Sequence, residues 1–171
     1  MENSDLFVCI DHVAYVCPDA EEAVKYYTEV LGWHELHREI NDEQGVFEIM
    51  VAPAAELTEH MTQVQLISPT REDATTAKWL EKNRPGLHHM AWRVADIDSV
   101  SATLRERGLT LLYEQPRIGT GGSKINFLHP KSGKGVLIEG VDQLMTLLAK
   151  CCKPVRPDHV VGFVTKGRGI S

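Results

Sequence analysis

Apolar and polar residues alternate along residues 7–16, and this pattern predicts a β-strand. With a period of two, one face of that strand carries Val8, Ile10, His12, Ala14 and Val16. Asp19 then provides a helix N-cap, with Glu22 three residues later as in a capping box, and Gly32 provides the stop. Three more strands are predicted at residues 33–40, 46–52 and 61–67. The first part of the chain is therefore predicted to fold as β-α-β-β-β.

The same order of elements recurs in the second part of the chain. A strand at residues 87–94 precedes a helix that Asp96 caps and Gly108 ends. Three further strands are predicted at residues 109–114, 124–129 and 135–139. We therefore divide the chain into a first βαβββ module at residues 6–68, a linker with a short helix at 69–86, a second βαβββ module at 87–140 and a C-terminal extension at 141–171.

The C-terminal extension lies outside this repeat. Residues 144–152 are compatible with a short helix, whereas residues 153–171 are basic, contain glycine and show no hydrophobic period. We expect the extension to be partly loose and its last segment to be dispensable for the modules.

The two modules align on a histidine. When His12 is placed on His89, the three residues that follow each histidine match in type, ending with Tyr15 on Trp92. Seven residues after each histidine comes the aspartate that caps the following helix. The chain is therefore predicted to contain an internal duplication with a histidine at the same place in each first strand.

Composition and charge restrict the possible functions. The chain has 171 residues, of which 43% are hydrophobic and 25% charged, which is typical of a soluble globular protein. It has no run near the roughly 18 apolar residues that a membrane helix needs, and its first five residues do not resemble a signal peptide. The net charge of −6 argues against nucleic acid as a partner. The four cysteines have no zinc-site spacing, which favours reduced thiols and a cytoplasmic location.

Two further polar residues occupy matching places in the modules. Gln65 lies on the fourth strand of the first module and Glu139 on the fourth strand of the second. Together with His12 and His89 they provide two imidazoles, one amide oxygen and one carboxylate. That mixed set suits an intermediate divalent metal in an octahedral site, with two positions left for a chelating substrate. Any one of these residues alone is more often structural, so the prediction rests on their matched positions.

Glu48 is the one acid on the apolar third strand at residues 46–52. A buried carboxylate is costly unless it is paired or used, and burial raises its pKa and improves it as a proton acceptor. The matching strand of the second module, at residues 125–127, has no acid. Periodicity alone does not distinguish this role from a place on a solvated face.

Several short motifs together resemble the methylmalonyl-CoA epimerase family, part of the vicinal oxygen chelate superfamily with glyoxalase I and the extradiol dioxygenases. They are Ile-Asp-His-Val-Ala-Tyr at residues 10–15, Tyr-Tyr at 26–27 before Leu-Gly at 31–32, Gly-Leu-His-His-Met-Ala at 86–91, and His-Pro-Lys-Ser at 129–132 before Gly-Val-Leu-Ile-Glu at 135–139. The resemblance covers about residues 6 to 140 and leaves out the C-terminal extension.

This resemblance implies an α+β fold in which two tandem βαβββ modules form a metal-binding cleft. It implies metal ligands at His12, Gln65, His89 and Glu139, and catalytic acids at Glu48 and Glu139. The implied reaction interconverts (2R)- and (2S)-methylmalonyl-CoA by removing and returning the proton next to the thioester. The implied cofactor is a divalent metal, Co²⁺ first, with Mn²⁺, Ni²⁺, Zn²⁺ or Mg²⁺ as alternatives, and the implied assembly is a homodimer.

Two further expectations concern the substrate contacts and the alternative activities. We expect the CoA portion to lie near Gly121, Gly122 and Lys131, and we expect Arg93, on the His89 face, to meet the substrate. Glyoxalase I activity and a non-catalytic ligand-binding module are the alternative functions of the same fold. An extradiol dioxygenase is disfavoured because it needs three metal ligands, and Gln65 adds a fourth.

Overall fold

A computed structural model of the protein describes residues 6–58 and 61–142, together with the backbone of two short strands near the C-terminus. The main sheet contains β1 Phe7–Val16, β2 His34–Asn41, β3 Val46–Ala52, β4 Gln63–Pro69, β5 Gly86–Val94, β6 Arg117–Ile118, β7 Lys124–Leu128 and β8 Ile138–Asp142. The helices are α1 Ala20–Lys25, which continues as a π-helical turn at Tyr26–Val30, α2 Thr75–Leu80 and α3 Ile97–Glu106. A 3₁₀ turn spans Thr120–Gly122, and β9 Val164–Thr165 pairs with β10 Gly169–Ile170.

The strand order β2-β3-β4-β1-β5-β8-β7-β6 is symmetric about its centre. In each module the first strand lies at the centre of the sheet and the second at the outer edge, and the next two strands return towards the first. As a result β1 is parallel to β4 and β5 is parallel to β8. The two modules join where β1 and β5 pair in antiparallel fashion, and we call this junction the seam. The sheet is mixed and curls into a half-barrel. The predicted α+β fold of two βαβββ units is confirmed.

The predicted helix caps are present in both modules. The Asp19 carboxylate accepts hydrogen bonds from the backbone N–H groups of Glu21 and Glu22, at 2.9 and 3.2 Å. Asp96 caps α3 in the same way, through the N–H groups of Asp98 and Ser99 at 3.1 and 3.4 Å. The two modules therefore use the same device to start their helices.

Side-chain alternation separates a helix-covered face of the sheet from a cavity face. Ile49 on β3 and Leu66 on β4 are fully buried in a cluster with Val24 of α1. Their neighbours Glu48 and Gln65 therefore point to the opposite face, as the period of two requires. The apolar packing of α1 is what directs two of the predicted site residues towards the cavity.

The predicted apolar face of β1 is wrong at its N-terminal end. Val8 and Ile10 are 48% and 36% exposed, whereas Ala14 and Val16 are fully buried. The pairing of β1 with β5 shifts register between Ile10 and His12, so Asp11 is an extra residue in a β-bulge. A bulge re-aims the side chains on either side of it, and a strict period of two fails across it.

Two predicted strand boundaries in the second module are also corrected. Residues 109–114 form no strand; Leu111 makes an isolated bridge to Leu128, and the strand at this edge is the short β6. The last strand, predicted at 135–139, runs instead over Ile138–Asp142, because residues 130–135 form successive turns. The predicted helix at 144–152 lies outside the described residues.

We predict that Gly140→Ala destabilises the fold by about 1–3 kcal/mol through overpacking. A Cβ at Gly140 would lie 2.8 Å from Cδ1 of Ile97, the buried residue that packs α3 against β8. Urea denaturation measures the loss of free energy of unfolding. Gly86→Ala is the matched control, because its Cβ would come no closer than 3.7 Å to a neighbouring atom. Equal stability of the two variants would contradict the packing argument.

Candidate metal centre and active site

A cavity of about 240 Å³ opens on the face of the sheet opposite α1 and α3. Both modules contribute to its wall. Glu48 and Gln65 come from the first module, and His89, Thr120 and Glu139 come from the second. The cavity therefore exists only when the two modules are joined.

Three of the four predicted metal ligands lie together in the interior. Their ligand atoms are all within 4.8 Å of one another, and His12, His89 and Glu139 are only 4%, 7% and 5% exposed. Oε2 of Glu139 lies 3.4 Å from Nε2 of His12 and 2.8 Å from Nε2 of His89. Neither contact has the direction of a hydrogen bond. The three ligand atoms are therefore close enough to one another to bind a single cation.

Gln65, the fourth predicted ligand, has its amide oriented in a defined way. Its Nε2 donates a hydrogen bond to Oγ1 of Thr120 at 3.0 Å. Its Oε1 is buried and has no hydrogen-bond partner among residues 6–58 and 61–142. The same holds for Nε2 of both histidines. Such buried atoms are costly to leave unsatisfied, and two nitrogens with two oxygens form a donor set that fits a divalent cation.

The charges of this cluster are coupled. Burial by itself would raise the pKa of Glu139, but the close polar contacts and the charge of His12 and His89 lower it to about 2. Burial likewise opposes ionisation of His12, yet Asp11 and Glu139 raise the pKa of His12 to about 9. Glu139 is therefore an anion in the centre of the site, which is the state in which a carboxylate binds a cation.

Glu48 has the opposite character. It is 3% exposed, and burial raises its pKa to about 7 in spite of a hydrogen bond from Thr120. The Thr120 hydroxyl donates to Oε2 of Glu48 at 2.6 Å. A carboxylate with this pKa exchanges protons near neutral pH, whereas Glu139 holds its charge. The two buried acids therefore differ in their protonation behaviour.

Sequence reasoning missed Thr120, which the structure places between Glu48 and Gln65. The residue lies in the second module, and both of its partners lie in the first. The signal was the run Gly-Thr-Gly-Gly at residues 119–122, which is typical of a tight turn that lets the backbone approach another element. Gly121 adopts a positive φ of 64°, and its N–H donates to the carboxylate of Glu39 on β2 at 3.2 Å.

The residues predicted to contact the substrate do not line the cavity. Arg93 is 6% exposed and donates to the Asp11 carboxylate. Gly121 and Gly122 lie in the turn beside the cavity, and Lys131 uses its backbone N–H to bond Nδ1 of His129. Their roles in substrate binding stay predictions.

Two arginines that the sequence analysis did not select line the cavity instead. The guanidinium of Arg117 lies 4.1 Å from the centre of the Tyr113 ring, and its Nη1 is 3.8 Å from the Glu43 carboxylate. Arg71 lines the same wall and donates to a backbone carbonyl of Glu43 at 3.0 Å. These cations are candidate contacts for an anionic ligand.

Comparison with known proteins identifies the family. Residues 11–127 match the family model of the glyoxalase/bleomycin resistance protein/dioxygenase superfamily. The chain belongs to this superfamily. Enzymes of the superfamily use a divalent metal, in agreement with the histidine and glutamate cluster at the seam.

Individual relatives are similar over most of the chain. The mitochondrial methylmalonyl-CoA epimerase of Homo sapiens is 32% identical over 131 residues, covering 76% of this chain and 71% of that protein. A crystal structure of a methylmalonyl-CoA epimerase is 71% identical with a TM-score of 0.79, covering 82% of this chain and 98% of the other. A methylmalonyl-CoA epimerase in complex with methylmalonyl-CoA and NH4⁺ is 41% identical with a TM-score of 0.76, covering 82% and 97%.

The C-terminal extension is similar to proteins of another kind. Residues 136–171 match the model of the RelA/SpoT RIS domain. A stretch of 36 residues is 64% identical to the GTP pyrophosphokinase of Photobacterium angustum, covering 21% of this chain but only 5% of that protein. The match overlaps β8 and includes Glu139.

None of the helices in the described part of the chain has the length and apolar character of a membrane span.

We predict that binding of a divalent cation releases close to one proton from His12 near neutral pH. The pKa of about 9 keeps His12 protonated below that pH, whereas a metal-bound imidazole is neutral. Cation and proton therefore compete, and the affinity for Co²⁺ should fall about tenfold for each unit of decreasing pH below 9. Calorimetry in two buffers with different ionisation enthalpies counts the protons released.

Substitution of an exposed histidine elsewhere is the control for this experiment. His34→Gln, at the start of β2, should leave the number of released protons unchanged. Binding of Co²⁺ without proton release, at an affinity that does not depend on pH, would contradict the prediction. It would show that His12 does not lose a proton when the cation binds.

Proposed function

We propose that this protein is a methylmalonyl-CoA epimerase that interconverts the (2R) and (2S) forms of its substrate. One observation carries the proposal: Glu48, with a pKa of about 7, lines the same cavity as Gln65, His89 and Glu139. A proton-transfer enzyme needs a base that is separate from the groups that hold the cation. The choice of substrate is supported by the human methylmalonyl-CoA epimerase, at 32% identity, and by the crystal structure of a methylmalonyl-CoA epimerase at 71% identity.

In the proposed reaction, Glu48 removes the proton on the carbon between the thioester and the carboxylate. The C–H bond breaks, the proton passes to the Glu48 carboxylate, and the electron pair moves onto the thioester oxygen as an enolate. A divalent metal held by His12, Gln65, His89 and Glu139 supplies positive charge where the enolate develops. A proton returned to the opposite face of the same carbon gives the other isomer.

Thr120 is expected to control the position of Glu48 during this step. The Thr120 hydroxyl accepts a hydrogen bond from the amide of Gln65 and donates one to a carboxylate oxygen of Glu48. The same hydroxyl that holds Glu48 also keeps Oε1 of Gln65 free for a cation. Thr120 therefore links the orientation of the base to that of a ligand.

The second proton-transfer group is assigned to Glu139, as the family resemblance implies. Its pKa of about 2 makes it a weak proton acceptor while both histidines contact it. The proton would therefore return either through the Glu139 carboxylate itself or through a water molecule next to it. Co²⁺ is the proposed ion, with Mn²⁺, Ni²⁺, Zn²⁺ and Mg²⁺ as alternatives; metal analysis and epimerase assay of each reconstituted form distinguish them.

We predict that Glu48→Gln lowers epimerase turnover by about 10²- to 10⁴-fold, because an amide does not accept the substrate proton. The metal content should equal that of the parent protein, because Glu48 lies outside the ligand set. In deuterated solvent, the variant should still exchange the α-hydrogen of one isomer, while exchange from the other isomer nearly stops. NMR of the recovered substrate measures both rates.

Glu106→Gln, an exposed acid at the end of α3, is the matched control and should retain parent activity. Equal loss of exchange from both isomers together with loss of metal would make Glu48 a structural residue. Unchanged exchange would assign the base to another group. Conversion of the methylglyoxal–glutathione hemithioacetal instead of methylmalonyl-CoA would favour the alternative glyoxalase I activity.

We also propose that the protein is a homodimer. Phe7, Val8 and Ile10 at the start of β1 are 36–48% exposed, although β1 lies at the centre of the sheet. A neighbouring apolar cavity of about 190 Å³ is lined by Phe7, Trp92 and Leu104 among others. Grouped apolar residues of this kind support an interface with a second copy.

Sedimentation at micromolar concentrations should therefore give the mass of a dimer. Val8→Asp should shift the protein to monomer, because a charge would be buried in the interface. Leu57→Asp is the matched control, since Leu57 is 52% exposed outside this patch and should leave the dimer intact. A parent protein that is monomeric at these concentrations would contradict the proposal.

A further inference from the structure

The residue before each ligand histidine is held in a β-bulge. In the pairing of β1 with β5, Ile10 faces Trp92 and His12 faces Ala91, so Asp11 is the extra residue on β1. Farther along the same seam, Ala14 faces His89 and Tyr15 faces Leu87. His88 is therefore the extra residue on β5. The two bulges occupy equivalent places in the duplicated modules.

Each bulge turns the preceding side chain onto the ring of its own ligand histidine. Oδ1 of Asp11 lies 2.9 Å from Nδ1 of His12, and Nδ1 of His88 lies 2.9 Å from Nδ1 of His89. Neighbouring residues on a regular strand point to opposite faces and do not make such contacts. The bulges are therefore the structural reason that Nδ1 of each ligand histidine is occupied and Nε2 is directed into the site.

The two modules differ in the chemistry of this partner. Asp11 is fully buried, and its Oδ2 accepts hydrogen bonds from Nη2 and Nε of Arg93 at 2.7 and 2.9 Å. His88 is half-buried, and its ring packs edge-on against Trp79 with the ring centres 5.3 Å apart. His12 is therefore supported by a carboxylate and a guanidinium, whereas His89 is supported by an imidazole.

The Asp11–Arg93 pair also crosses the seam. Asp11 belongs to β1 of the first module, and Arg93 belongs to β5 of the second, where it pairs with Cys9. A buried ion pair is seldom the most stable solution for a packed interior, since apolar residues of the same volume do as well or better. A pair that contacts a metal-ligand histidine has a second use, because such partners set the orientation and tautomer of the ring.

We propose that Asp11, held across the seam by Arg93, is the positioning residue for His12. The carboxylate accepts the hydrogen bond from Nδ1–H of His12 and so leaves the lone pair of Nε2 directed at the metal site. The guanidinium in turn prevents the carboxylate from rotating away. This inference rests on the proposed metal-dependent function and assigns Arg93 to the metal centre instead of the substrate.

The test is the double variant Asp11→Asn with Arg93→Gln. Either single change would leave one buried charge without its counter-charge and destabilise the fold, whereas the double change removes both charges and leaves an uncharged hydrogen-bonding amide at each position. The Kd for Co²⁺ should rise about 10- to 100-fold, as is typical when the partner of a ligand histidine is removed. The melting temperature of the metal-free protein and the KM for methylmalonyl-CoA should stay close to the parent values.

A second, spectroscopic measurement separates positioning from general stability. The visible absorption of the Co²⁺ form reports the geometry of its ligands, and the double variant at saturating Co²⁺ should show a shifted spectrum with a lower kcat. Asp98→Asn with Lys124→Gln is the matched control, since it removes an ion pair of 3.2 Å between α3 and β7, away from the site. The control should bind Co²⁺ with the parent Kd and spectrum.

A parent Kd and spectrum in the double variant would overturn the proposal. So would a fall in the melting temperature of the metal-free double variant with no change in Kd, because the pair would then serve the fold alone. A parent protein that binds no Co²⁺ also overturns it. A parent protein that binds Co²⁺ but does not epimerise methylmalonyl-CoA refutes the proposed function, while the comparison of Kd values still decides the role of Asp11.

Discussion

The buried charge of Glu139 is the constraint on which the rest of the site depends. A carboxylate that is 5% exposed is costly unless oppositely charged or hydrogen-bonding groups surround it. His12 and His89 provide that surrounding, and each ring then needs a partner for its second nitrogen. Asp11 and His88 supply those partners from the two bulges. One buried carboxylate therefore accounts for a chain of polar contacts that extends through the seam.

The duplication makes this arrangement possible because it brings equivalent positions face to face. The antiparallel pairing of β1 with β5 places the two histidines near each other, with ring centres 5.7 Å apart. The parallel neighbours β4 and β8 carry Gln65 and Glu139 into the same region. A single module provides half of these groups and no closed wall. The functional unit is thus the joined pair, although each module has its own helix and apolar cluster.

The symmetry is broken where the chemistry requires it. Glu48 on β3 corresponds to a position on β7 that has no acid, and the turn containing Thr120 reaches from the second module into the first. These differences place the carboxylate of Glu48 on one side of the cavity. The surroundings then give the two acids different pKa values, because Glu48 is buried near a hydroxyl whereas Glu139 is buried between two imidazoles. Two glutamates of identical chemistry acquire different protonation behaviour for this reason.

The sequence by itself determined the duplication, the order of the elements and the caps at Asp19 and Asp96. It also indicated the polar residues of the candidate site. Hydrophobic periodicity and the alignment of the repeats can both be read directly from the order of residues along the chain. It did not reveal the bulges at Asp11 and His88, and it gave a false strand at residues 109–114, because bulges and edge strands depend on the partner strand. The contact of Thr120 with Glu48 joins residues 72 positions apart. Only the tertiary structure decided the different pKa values of Glu48 and Glu139, because a pKa depends on burial and on charges that distant segments bring together.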